Sequence, residues 1–255
     1  MISGFGWAVL VLIFGYLALF LWGIAIAADA SGRSVWLFGR ASGRDRWAAF
    51  GFRAAFVVAL FGPLFWLAWP ILHKADPLWT EGEVAALGAV GVFLAGVGAM
   101  VAFAAQMSMG TSWRVGVASD ATGDLVSGGL YRFSRNPTFL GQFALLAGVG
   151  FAIPSLPTIL APLLFLGSAS LQIRSEEAVL RQSLGAEYER YAASVPRWIG
   201  LRRRSWAPNG SLERACSSSD EDTGHLSKGS VGQTTMSHRR VVSCWETGVR
   251  RRGER

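Results

Sequence analysis

The residues that could do chemistry crowd into one stretch, 125–199. It opens on Ser127-Gly128-Gly129-Leu130-Tyr131-Arg132-Phe133-Ser134-Arg135-Asn136-Pro137 and carries Glu176-Glu177 farther on. The set holds two cations (Arg132, Arg135), an amide (Asn136), a carboxylate pair (Glu176, Glu177) and aromatic faces (Tyr131, Phe133, Phe139, with Trp113 just upstream). Guanidinium can grip a carboxylate, and carboxylates can accept from hydroxyls or an amine. Aromatic faces can hold a flat base or a sulfonium cation. Together they suit a zwitterionic cofactor with hydroxyls and a flat base. Metal and serine-hydrolase chemistry find no support. The histidines are His73, His225 and His238, all outside the stretch, and no His/Cys/Asp/Glu grouping has metal-ligand spacing. Cys216 and Cys244 both lie beyond residue 199, so the body has no disulfide, thiolate metal site or cysteine nucleophile.

The elements that must position these groups read as membrane helices. The 255 residues are 51% hydrophobic and 16% charged, against about 25% charged in an ordinary soluble domain. A span needs roughly 20 apolar residues to cross a hydrocarbon core about 30 Å thick. Residues 2–28 are 27 uncharged residues ended by Asp29, too long and too poor in N-terminal basic residues for a secretory signal. A second run covers 54–73, introduced by Arg53, and a third covers 84–113. Within the third, Gly96-Val97-Gly98 reads as a close helix contact. The fourth, 136–173, has 38 residues and is broken by Pro154 and Pro157. Proline removes a backbone donor and biases its predecessor away from helix. The run therefore predicts a helical hairpin, 138–153 out and 158–173 back. Such folding would return Arg135-Asn136-Pro137 and Glu176-Glu177 to one depth.

The expected fold is thus all-α and polytopic. It has five transmembrane helices near 2–28, 54–73, 84–109, 138–153 and 158–173, with a C-terminal helical hairpin. An amphipathic helix bearing Tyr188 and Tyr191 follows, lying on the membrane. Arginines in short loops set the direction. Arg33, Arg40, Arg44 and Arg46, then Arg114, Arg132 and Arg135, then Arg174, Arg181, Arg190 and Arg197 fall on one side if the N-terminus is outside. The C-terminus is then cytoplasmic. Residues 1–199 form the membrane domain. Residues 200–255 hold 11 of the 24 Lys+Arg and 6 of the 17 Asp+Glu. They show no apolar period and predict a basic, disordered tail. Most of the +7 net charge belongs to that tail, so the charge balance does not argue for nucleic acid.

The stretch 125–197 resembles the integral membrane methyltransferases of the isoprenylcysteine carboxyl methyltransferase and phospholipid N-methyltransferase group. Their signature is Gly-x-Tyr-Arg, a short gap, then Arg-His-Pro-x-Tyr-x-Gly. A Glu-Glu pair follows one hairpin later, then Phe-Gly-x-x-Tyr-x-x-Tyr and a Val-Pro-Arg ending. This chain has Gly129-Leu130-Tyr131-Arg132 and Arg135-Asn136-Pro137-Thr138-Phe139-Leu140-Gly141. It then has Glu176-Glu177, Leu184-Gly185-Ala186-Glu187-Tyr188, Tyr191 and Val195-Pro196-Arg197. Asn136 stands where His is typical and Phe139 where Tyr is typical. Asn still donates and accepts but does not titrate; Phe139 keeps the ring and loses the hydroxyl.

The resemblance implies an enzyme that uses S-adenosylmethionine, with Tyr131, Arg135, Asn136, Pro137, Phe139, Gly141, Glu176 and Glu177 lining the cofactor pocket. It implies no metal. No catalytic residue is assigned. A carboxylate acceptor needs no base; an amine or thiol does, and Glu177 is the first candidate. The acceptor would be lipid-like or a small hydrophobic molecule entering from the bilayer. Two other readings compete: an NADPH-dependent membrane reductase, and a non-enzymatic membrane protein with a decayed methyltransferase motif.

Overall fold

The computed structural model describes residues 2–31, 43–79, 85–109 and 125–200. Those residues form seven α-helices and no strand: α1 (Gly4–Ser31), α2 (Gly43–Ala68), α3 (Pro70–Ala75), α4 (Ala85–Met109), α5 (Pro137–Ala152), α6 (Leu156–Leu184) and α7 (Ala186–Ser194). A short 3₁₀ turn, Gly129–Arg132, precedes α5. The all-helical expectation is met. The expected tail lies, apart from Gly200, outside the described residues, as do Trp113-Arg114 and the loop arginines Arg33 and Arg40.

Four helices are long and apolar enough to cross a membrane: Gly4–Ala30, Gly43–Ala68, Ala85–Met109 and Leu156–Leu184. The protein is a multi-pass integral membrane protein. The expected second span sits differently. Its helix begins at Gly43, well before residue 54, because charge does not stop a helix at a membrane surface. Asp45 occupies its first turn, where a carboxylate favours the helix dipole, and arginine stems reach outward from a span end. The helix stops at Ala68 because Trp69 precedes Pro70 and takes an extended backbone, φ −116° and ψ 99°. Ile71 and His73 therefore belong to the separate α3. Helix α5 has 16 residues, or about 24 Å, shorter than the other four.

Helix α4 packs most extensively on α5, α2 on α6, and α1 on α4. Glycine makes the α4–α5 contact possible. A Cβ built at Gly141 would lie 2.5 Å from the Ala102 backbone nitrogen, and one at Gly148 would lie 2.5 Å from that of Ala95. Gly98 meets Leu145 and Gly141 in the same way, whereas Gly96 touches nothing. The backbones are in van der Waals contact, the geometry small residues permit between spans. Ile13, Leu145, Leu146, Val149, Phe165 and Ile173 fill the interior. Val11, Phe14, Phe93 and Met100 face outward, an apolar exterior that suits lipid. Two buried amides cross-link the bundle: Gln106 Nε2 donates to the Phe20 carbonyl at 3.1 Å, and Gln142 Nε2 to the Tyr16 hydroxyl at 2.6 Å.

Helices α5 and α6 meet at a turn over residues 153–155. Ser155 N donates to Thr158 Oγ1 at 3.1 Å, closing the first turn of α6. The buried Asp76 carboxylate accepts from Leu156 N at 2.7 Å, Trp66 Nε1 at 2.8 Å and Leu78 N at 2.9 Å. One side chain thus ties the end of α2 and the residues after α3 to the start of α6, where a negative charge is favoured.

Candidate active site

At the opposite end of α5 and α6 the polar residues gather. Gly129 adopts φ +54°, which an L side chain resists, and starts the 3₁₀ turn. That turn buries Tyr131 while Arg132 and Phe133 stay exposed. Tyr131 Oη donates to the Ala105 carbonyl of α4 at 3.5 Å, and its own carbonyl accepts from Tyr191 Oη at 2.9 Å. Burial pushes the Tyr131 phenol up to about 12, with the Glu176 carboxylate adding to the rise. It stays a neutral hydroxyl. Pro137 begins α5, where its missing N–H costs nothing.

Glu177 is the hub. Its side chain is 4% exposed and three guanidiniums converge on it. Arg197 forks it, Nε to Oε1 at 2.9 Å and Nη2 to Oε2 at 2.6 Å. Arg135 Nη1 lies 3.1 Å from Oε1, and Arg181 Nη1 lies 3.7 Å from Oε2. Arg135 Nη1 also donates to Tyr188 Oη at 3.3 Å. Burial, then the neighbouring Glu177 carboxylate, raises the Tyr188 phenol as well. Arg135, just before α5, and Glu177 of α6 therefore lie within salt-bridge distance of each other. The hub carboxylate has about four acceptor directions. Two are taken by the Arg197 fork, and Arg135 and Arg181 add positive charge beside them.

The strap that carries Arg197 is pinned to the same corner. Arg135 N donates to the Pro196 carbonyl at 3.0 Å. Asn136 Nδ2 donates to the Arg197 carbonyl at 2.9 Å, and Ser134 Oγ to that carbonyl at 3.4 Å. Trp198 packs on the main core. Beneath, Tyr188, Tyr191 and Val195 form a small second core with Leu125, Leu180 and Leu184. Gly185, at φ +51°, turns the chain from α6 into α7 so that these tyrosines face inward. The expected amphipathic helix is present, with its aromatic face turned to the protein.

The remaining candidates divide by role. Glu176 Oε1 accepts from Gln172 Nε2 at 3.0 Å, one turn down α6. Phe139 meets the Phe165 ring at 6.3 Å between centroids, in the core. Gly141 is the α4 contact described above. Two buried polar atoms near this end have no partner, Arg135 Nε and Gln172 Oε1, while the Thr138 hydroxyl lies against the Tyr131 phenol. A buried polar group without a partner is costly. Here the pair comprises a donor and an acceptor, which is the complement of a ligand bearing a carboxylate and an amine or hydroxyl. Sequence reasoning read Arg197 as a loop cation and the end of the motif set, read Tyr188 as part of an amphipathic helix, and assigned no role to Thr138 or Gln172. For Arg197 there was a signal: the Val-Pro-Arg ending closes the ordered motif set. For Thr138 and Gln172, only the packing of α5 on α6 shows which way they face.

Among the described residues no group of His, Cys, Asp and Glu could hold a metal ion. No curated protein matches the chain. Residues 87–187 match the family model for phospholipid methyltransferase, a segment that spans α4 to the start of α7 and includes the Tyr131–Gly141 stretch and Glu176-Glu177. Enzymes of that family generally use S-adenosylmethionine. Over residues 87–187 the chain is thus similar to the phospholipid methyltransferase family, in line with the resemblance its motifs carry.

Proposed function

We propose that the corner between α5, α6 and the 195–198 strap binds S-adenosylmethionine. The protein then transfers the methyl group to a lipid-like or small hydrophobic acceptor. The observation that carries this reading is the convergence of Arg135, just before α5, and Glu177 of α6 beside a buried donor and acceptor that lack partners. When bound, the cofactor supplies a methyl group on a sulfonium. The protein's part is to hold acceptor and methyl in line, which can supply much of the rate. Arg135 turns its Nε–H to a carboxylate. Glu176 and the Gln172 carbonyl accept from an amine or hydroxyls. Tyr131, neutral and buried, lines the wall with Asn136 and Pro137, Phe139 and Gly141 pack behind that wall against α6 and α4, and Glu177 holds the arginines.

In this reading α5 is the fifth crossing, short because it is wrapped by α4 and α6 and not by lipid alone. The loop arginines keep the site on the cytoplasmic face, with the N-terminus outside. The acceptor enters sideways between helices. The test is incubation of membranes containing the full chain with methyl-labelled S-adenosylmethionine, followed by base. Methanol released by base identifies an ester, label kept on lipid an amine, and volatile label without base a thioether. No chain-dependent transfer in any fraction rejects the reading.

A further inference from the structure

We propose that Arg197 is a positioning residue, and that it acts through Glu177 to aim Arg135 at the ligand. The inference rests on the cofactor reading above for the ligand's identity, and on geometry alone for the positioning. Arg197 lies outside the matched segment, which ends at residue 187. Both its Nε and its Nη2 engage Glu177, one on each oxygen. A bidentate fork fixes a carboxylate in plane and direction, as a single ammonium contact does not. The fixed carboxylate then receives Arg135 Nη1, and Tyr188 Oη holds the same nitrogen from a second direction. Two anchors on Nη1 leave the buried Nε–H without a partner. A guanidinium held at one corner with an unengaged N–H at another is a preset anion grip.

Asn136 acts in the same device. Its amide is committed to the Arg197 carbonyl, and the next residue back, Arg135, donates its own backbone N–H to Pro196. The strap and the start of α5 are therefore clamped backbone to backbone and side chain to backbone. That clamp sets the distance at which the fork can close. Asn136 performs it with neutral atoms, so it keeps working at every pH at which the chain is folded.

The experiment uses the full chain in nanodiscs, wild type, Arg197→Gln and Arg197→Lys. The lysine variant keeps the charge and loses the fork, so it tests geometry where the glutamine variant fails to fold. Arginine Nε–Hε NMR, with Arg135→Lys for assignment, reads the order of Arg135 directly. Titration with S-adenosylmethionine reads the consequence. In wild type the Arg135 Nε–Hε is expected to be rigid, with an order parameter near ~0.85, falling below ~0.6 in both Arg197 variants. Cofactor affinity should fall at least tenfold in both, and turnover should show the loss mainly in KM. An Arg135 signal that stays rigid without the fork overturns the proposal. So does an affinity that falls only in proportion to the folded fraction. Should wild type bind no S-adenosylmethionine while Arg135 order still depends on Arg197, the cofactor reading fails and the positioning stands.

Discussion

At the residue scale the site turns on one carboxylate serving three cations. Glu177 is nearly fully buried and Arg135 is 12% exposed, while Arg181 and Arg197 are 44% and 40% exposed. Removing the carboxylate strands Arg135 more than the other two, because they can turn to water. Breaking a buried pair by deleting one partner costs about 3–5 kcal/mol. Glu177→Ala is expected to lower stability by about 3 kcal/mol, read as the midpoint of unfolding in detergent. Replacing the exposed Glu189, which pairs with Arg181 at 2.8 Å, should cost under ~1 kcal/mol. Equal losses for the two would show that Glu177 is no more central than a surface acid. The same geometry separates the two members of the acidic doublet. Adjacent in sequence, they point to different partners, Glu177 to arginines and Glu176 to Gln172.

At the element scale the α4–α5 contact sets where the site sits, because Arg135 and Asn136 immediately precede α5. Gly148→Ala puts a methyl group 2.5 Å from the Ala95 nitrogen and the Gly91 carbonyl. Backbone cannot move aside as a flexible side chain does, so the helices must part, at about 1–3 kcal/mol. Gly167→Ala on α6, with nothing within 4 Å, should be neutral or stabilising by up to ~1 kcal/mol. Unfolding midpoints of the two variants check the contrast, and a harmless Gly148→Ala would refute the close contact. Much of this scale was legible in the sequence. The apolar runs marked the helices, and Pro154 and Pro157 marked the α5–α6 turn. The start of α2 was not, because an uncharged run underestimates a helix whose ends carry snorkelling arginines. Nor was Asp76 as the tie to α6, since a carboxylate 80 residues away in sequence leaves no local pattern. Nor was the Arg197 fork: arginine at the end of an ordered motif looks the same whether it faces water or a buried acid.

At the scale of the whole molecule the site gathers at one end of the bundle. The starts of α2 and α5 and the late turns of α6 meet there: Ser175 donates to Asp45 across α6 and α2, and Arg135 meets Glu177 across α5 and α6. The proposed orientation, with the C-terminus cytoplasmic, can be tested on the chain's two cysteines, Cys216 and Cys244. A membrane-impermeant maleimide should then leave intact cells unlabelled and label them after permeabilisation. Labelling without permeabilisation reverses the orientation. The central claim, that the Arg135–Glu177 corner grips a methyl-donor cofactor, meets its most direct trial in equilibrium titration of the purified full chain. S-adenosylmethionine should saturate at one per chain, with affinity at least tenfold weaker in Arg135→Ala, and NADPH should not bind. No S-adenosylmethionine binding, binding indifferent to Arg135→Ala, or saturation by NADPH in its place would contradict it.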